Sequence, residues 1–265
     1  MRKAIVKFLS FFILSSKKRK AFRKRYSNNF IKYCLFKGKY KIKGNNNKII
    51  IVENGIEREL CKYERIKGLD ISINGNNNLV KIEIPIIGVG SNIEIGNDNV
   101  IIDIGSSYYF NRLFIRCCFG LGQYCKIGKN TTICEANIIL DGKSGCIIGE
   151  DCMFSSSIRI WGDDGHSILG IEGRNILNKP QGHITIGDHV WIGEGARITK
   201  NARIGKHCII GGGAVAYKDY GEDNCIIAGN PGNIVRRNVT WDRRNTYNLE
   251  ETIVKERDIE NVKSA

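Results

Sequence analysis

The chain is poor in the residues that mark several common classes of protein. Three of its 265 residues are proline and two are methionine, against 30 glycines. Glycine costs about 1 kcal/mol inside a helix, so this excess argues against a helical bundle. No two of the ten cysteines stand in C-x-x-C spacing, and adjacent Cys117 and Cys118 are poorly placed to bridge. Disulfide scaffolds are short secreted chains; this chain is long, and its thiols read as small buried apolar side chains in a reducing compartment. No apolar run approaches the roughly 20 residues needed to cross a bilayer. Ala4–Leu14 is interrupted by Lys7 and runs into Lys17–Lys20, without an A-x-A cleavage site. A cytoplasmic protein is expected. With 42% hydrophobic and 26% charged residues, wholesale disorder is excluded.

Acidic residues are absent from positions 1–48, which hold 16 of the 41 Lys and Arg. The remainder carries 25 basic against 27 acidic side chains, so the net charge of +14 belongs to an N-terminal arm, residues 1–40, expected to be helical. Counterion release draws such charge to any polyanion, but the arm has no base-reading module, and no nucleic acid is expected. Residues 1–25 join an apolar stretch to seven cations between Lys17 and Arg25. Three uses fit: a cap on the end of the fold, attachment to anionic lipid worth about 1 kcal/mol per nearby cation, and steering of an anionic glycan. Peripheral attachment to the inner membrane face is the expectation.

From Ile186 the chain divides into hexads: IGDHVW, IGEGAR, ITKNAR, IGKHCI, IGGGAV. Position one is always isoleucine, and position five is Val190, Ala196, Ala202, Cys208 or Ala214. A six-residue repeat drifts around a 3.6-residue helix, whereas it fits one flat side of a triangular parallel β-coil. Three hexads close a turn, with the position-two glycines near corners, where positive φ or close backbone approach is needed. The phase continues upstream at Ile127, Ile133, Ile148, Phe154 and Ile160. GNNN at Gly44 and Gly75, and GNDN at Gly96, read as further corners. The coil is expected over 41–235. It is broken by an insertion at 161–183, and a charged tail of 236–265 with a short helix is a candidate cap. Loops interrupting a rigid repeat are where chemistry is usually placed.

These hexads resemble the left-handed parallel β-helix acyltransferases of the hexapeptide-repeat superfamily. The segments DGHSI at Asp164–Ile168, NILNK at Asn175–Lys179 and IGDHVWIGEGARI from Ile186 resemble bacterial polysaccharide and sialic-acid O-acetyltransferases within it. IAGNPGNIVR at Ile227–Arg236 resembles the superfamily's exit from its last coil. The resemblance is tight over 148–237 and loose over 41–147. It implies an all-β, left-handed coil, a homotrimer, acetyl-CoA as donor and a glycan acceptor.

The resemblance also implies that His166 is the catalytic base. Imidazole, with a pKa near 6.5, can take a hydroxyl proton during attack on a thioester and return it to the leaving thiolate. Asp163 or Asp164 can hold the other ring nitrogen; the family pattern favours Asp164. Trp191 falls at the family's acceptor site, where an aromatic ring stacks on a sugar, though packing between copies also fits it. Trp161, which opens the insertion, has the same two uses. The family's donor contacts fall on Glu194, Gly212, Tyr217, Lys218, Asn233 and Arg236, with Lys218 and Arg236 suited to the phosphates. Glu194 and Tyr217 depart from the usual small or hydroxylated residues. Asn233 replaces a frequent basic residue, which leaves Arg237 to compensate. No cysteine lies in the loop, so direct transfer is expected over a covalent intermediate.

His189 and His207 are 18 apart and should stack on successive coils. Catalytic zinc takes three protein ligands and no third is evident, so solvated histidines are expected, and no metal. The leading function is O-acetyl transfer to a capsular polysaccharide, lipopolysaccharide or sialic acid. An N-acyltransferase acting on an amino sugar nucleotide is the alternative, and a non-catalytic β-helix that binds through its basic arm is the third reading.

Overall fold

The computed structural model describes residues 38–61, 64–247, 249–250 and 252. The arm at 1–37, with its expected helix and its capping, membrane or steering role, lies outside the described residues. The chain winds as a parallel β-helix with three flat faces, each an eight-stranded sheet. The first face runs from Tyr40–Lys43 to Val215–Ala216, the second from Lys48–Glu53 to Arg203–Ile204, and the third from Ile86–Val89 to Cys225–Ala228. Antiparallel strands flank two of the sheets: Ile56–Glu59 lies against Lys48–Glu53, and Asn233–Arg237 against Cys225–Ala228. Such strands occupy backbone groups that an open edge would leave unpaired.

Isoleucine builds the interior. The register stacks Ile71, Ile93, Ile115, Ile138, Ile160 and Ile198 in one inward column ending at Ala216. All are sealed from solvent, and each buried isoleucine contributes about 1.5–3 kcal/mol. Hexad positions one and five are buried throughout, as expected from the sequence.

Of the two expected reasons for glycine at the corners, close backbone approach is the one that applies to position two. Positive φ belongs to position four, at His189 (54°), Gly195 (69°), Asn201 (68°), His207 (58°) and Gly213 (68°). Position-two glycines answer to crowding instead: a Cβ on Gly187 would lie 2.7 Å from the backbone nitrogen of Lys206 in the next coil. Upstream, Asn46, Asn77 and Asn99 sit at φ of 57–59°, which makes the GNNN and GNDN segments corners. Side chains there bond from coil to coil, as Asn78 Nδ2 does to Asn47 Oδ1 at 3.0 Å.

Turn length changes along the axis. Register partners Ile73, Ile95 and Cys117 are 22 residues apart, whereas Ile198 and Ala216 are 18 apart. The insertion leaves at the edge between the first and second faces. Trp161 still belongs to strand Ile158–Trp161, so the protruding loop is 162–183.

The tail corrects the sequence reading. Asn233–Arg237 is strand, and the chain then doubles back along the edge between the second and third faces. Trp241 packs against His189, their rings 4.2 Å apart at 11°. Arg243 reaches Asp151 at 2.9 Å, Thr132 at 2.8 Å and the carbonyl of Cys152 at 3.0 Å. Residues 238–244 therefore form a strap along the side of the coil, because their aromatic ring and guanidinium find partners there. Helix is described only at 246–247, 249–250 and 252.

Candidate active site

The loop that carries His166 is organised by Asn178. Its amide nitrogen donates to the His166 carbonyl at 2.8 Å and to Asp164 Oδ2 at 2.7 Å, while its Oδ1 accepts from the Ile168 backbone at 2.8 Å. The loop then pairs with itself, Leu177 N donating to Ile168 O at 2.8 Å and Gly170 N to Asn175 O at 2.9 Å. Lys200, at the corner of the following coil, donates to the Asn178 carbonyl at 2.7 Å and forms an ion pair with Asp164. Gln181 N also bonds to Asn201 Oδ1 at 2.8 Å. A rigid coil thus holds a projecting loop at two successive corner residues.

Asp164 was expected to hold the His166 ring. Its carboxylate goes to Lys200 and Asn178 instead, because both reach it from the clamp just described. The Lys200 ammonium, helped by the Asn178 amide, holds the Asp164 carboxyl below the usual 3.8 despite some desolvation. Asp163 turns to the Gly165 backbone, accepting at 2.7 Å. The His166 ring is exposed, and no hydrogen bond or ion pair to it occurs among the described residues. Within one chain the two acidic residues shape the loop and leave the imidazole open to a substrate.

The two tryptophans stand on different faces. Trp161 lies on the first face, 41% exposed, at the root of the loop. Trp191 lies on the third face, 37% exposed and beside Trp241, their ring centroids 6.3 Å apart. A single chain does not bring Trp191 to His166.

The donor candidates fall into two groups. Glu194 and Gly212 share the corner between the third and first faces, where Gly213 N donates to Glu194 O at 2.8 Å. Tyr217, Lys218 and Asn233 meet at the end of the coil, with the Lys218 ammonium 5.5 Å from the Tyr217 ring centroid and 3.4 Å from Asn233 Oδ1. Arg236 is exposed nearby on Asn233–Arg237. Arg237 does not compensate for Asn233: its guanidinium is taken by Glu222 at 2.6 and 3.0 Å.

His189 corrects a further expectation. Its ring is half-buried between Trp241 and His207, with Nδ1 2.7 Å from Asp151 Oδ2 and Nε2 3.0 Å from the Trp241 carbonyl. Burial raises the Asp151 carboxyl, but hydrogen bonds from His189 and Arg243 outweigh it and leave it below the usual value. His183 stands outside this cluster, its ring centroid 6.5 Å from that of Tyr124 and over Gly145, where a Cβ would come within 2.3 Å of its Nδ1. Asn178 and Lys200 escaped the sequence reading. Asn178 lies inside the segment singled out at Asn175–Lys179, but nothing in its spacing tells which groups it joins.

Comparison with known proteins agrees with this architecture. The family described as "Bacterial transferase hexapeptide (six repeats)" matches residues 183–216. A polysialic acid O-acetyltransferase from Escherichia coli O1:K1 / APEC is 31% identical over 128 residues, 48% of this chain and 41% of that protein, so the match spans less than half of that relative. The crystal structure of the polySia-specific acetyltransferase NeuO superposes with a TM-score of 0.64 at 26% identity, covering 78% of this chain and 89% of NeuO. The polysialic acid O-acetyltransferase OatWY superposes with a TM-score of 0.54 at 27% identity, covering 79% and 95%.

Proposed function

As a member of the left-handed β-helix, hexapeptide-repeat acyltransferase superfamily, this chain, we propose, transfers acetyl from acetyl-CoA to a hydroxyl of a bacterial surface glycan. What supports the reading most is the likeness to NeuO, which extends over nearly all of that structure. The clamped loop supplies the chemistry. His166, with its ring open to solvent, takes the proton of the acceptor hydroxyl as the oxygen attacks the thioester carbonyl. The tetrahedral intermediate collapses, the carbon–sulfur bond breaks, and the imidazolium returns the proton to the departing thiolate. Asn178 and Lys200 fix the backbone from which the ring projects, so little orientational freedom is lost at the moment of reaction.

The donor's linear arm lies along the corner at Glu194 and Gly212, with its phosphates near Lys218 and Arg236. Trp191 and Trp161 offer ring faces to the acceptor, and Trp191 is supplied by a neighbouring copy in a homotrimer. Acetyl-CoA is to be incubated with the protein and a panel of sialylated and neutral capsular oligosaccharides. Alkali-labile acetyl on an oligosaccharide is the expected product. Alkali-stable acetyl on an amino sugar nucleotide, or no transfer to any of them, contradicts the reading.

A further inference from the structure

The first face carries two cations that no carboxylate among the described residues neutralises. Arg159 and Arg197 are register partners on adjacent parallel strands, so their Cα atoms are about 4.8 Å apart. Both are exposed, since the flanking Ile158, Ile160, Ala196 and Ile198 fill the inward positions. No hydrogen bond or ion pair engages either guanidinium among the described residues. Arginines elsewhere on the coil do find carboxylates: Arg112 pairs with Glu135, Arg116 with Asp141 and Arg203 with Asp219. Like charges directly opposite one another destabilise a sheet, so the fold gains nothing from this pair.

The surroundings suit a sugar. Trp161 is two residues along the same strand as Arg159, on the same outward side, and is the last strand residue before the loop that carries His166. Asn137 is the register partner of Arg159 on the other side, and Phe114 that of Asn137. A guanidinium fork binds a carboxylate bidentately, an aromatic ring covers the apolar face of a pyranose, and an amide bonds hydroxyls. We propose that Arg159 and Arg197 form a carboxylate subsite that selects an acidic sugar in the acceptor and lays it against Trp161, leading into the loop. Lys218, suited to the donor phosphates, follows the neighbouring strand Val215–Ala216, so coenzyme A is the competing ligand that the titration must separate from the acidic sugar. The inference rests on the glycan reading and adds a negative charge to the acceptor.

Binding without donor tests it separately from transfer. The full chain is titrated calorimetrically with a sialic acid hexasaccharide, with the same oligomer after reduction of its carboxyls to alcohols, and with coenzyme A. Arg159→Gln and Arg197→Gln should each weaken the acidic oligomer roughly tenfold, and Arg197→Lys, which keeps the charge without the fork, should lose most of that affinity. Arg203→Gln, on the second face, should bind as the parent does. The reduced oligomer should bind weakly to parent and variants alike, and coenzyme A affinity should not move. Unchanged or absent binding of the acidic oligomer, a loss of coenzyme A affinity instead, or a fall in assembly mass by light scattering overturns the proposal. If binding depends on the arginines but the protein transfers no acetyl, the subsite stands and the transferase reading fails.

Discussion

Lys200 ties Asp164 to the coil: one ammonium holds the aspartate carboxylate and the Asn178 carbonyl, 2.7 Å away, joining the loop to the corner of the following turn. The Lys200 side chain is largely covered, and removing it takes away one of the two corner ties that hold the loop, leaving the Gln181–Asn201 bond. A displacement of about 1 Å at a reacting group can lower a rate about a hundredfold. Lys200→Met should therefore lower turnover by about 10–100-fold with little change in coenzyme A affinity. Lys200→Arg should recover part of it. Limited proteolysis within 162–183 should quicken in the Met variant; unchanged proteolysis and turnover would remove Lys200 from the account.

The same contact has a pH signature. The folded Asp164 carboxyl lies below its ordinary 3.8, so its contribution is fully present above the unfolded value and is lost as pH falls through the folded one. Attachment of the loop, read by hydrogen exchange over 162–183, should hold steady down to pH 3.8 and weaken only below it. Asp164→Asn should flatten that acid dependence. Loosening near pH 6 would point to a histidine.

Trp241 should be the anchor of the strap. It is 8% exposed, stacks on His189 and donates through Nε1 to the His189 carbonyl at 2.7 Å. Trp241→Ala should destabilise the fold by about 3 kcal/mol, the low end for losing a buried aromatic. His189→Ala should cost less, and the double variant less than the sum, because the two side chains share one contact. Additive effects in urea unfolding would separate them.

Much of this was legible in the sequence, and the limits have physical causes. The hexads from Ile186 fixed the inward positions because turns there have 18 residues and the flat sides have six. Before Ile148 the turns are longer than 18 residues, 31 from Ile42 to Ile73 and 22 from Ile73 to Ile95, so the six-residue phase survives only in pieces such as Ile127 and Ile133. Corner chemistry was half legible: crowding rules the position-two glycines, and positive φ falls two residues later. The clamp was not legible, because Lys200 and Asp164 are 36 residues apart and meet only once the coil closes. His189 was misread for the same reason. The hexad places its side chain outward, and only a segment 52 residues further on covers it.

The loop's tip predicts an assembly. Ile168, Leu169, Ile176 and Leu177 are each more than two-fifths exposed, and Ile171 is 100% exposed. An apolar cluster of this kind marks a contact surface, and Trp191 is out of reach of His166 within one chain. Light scattering should give roughly three times 29.8 kDa, and Ile171→Asp should shift the mass toward the single chain. A parent mass near 29.8 kDa at micromolar concentration would exclude a trimeric site.

The most direct test of the central claim is the initial rate of alkali-labile acetyl formation on an oligosaccharide, compared between the parent protein and His166→Ala. The exposed ring makes no described contact that folding depends on, so the variant should keep its circular dichroism spectrum and its coenzyme A affinity. Its rate should fall by about 10²–10⁴, the range for losing a general base. A variant that folds, binds coenzyme A and transfers acetyl at the parent rate would contradict the account.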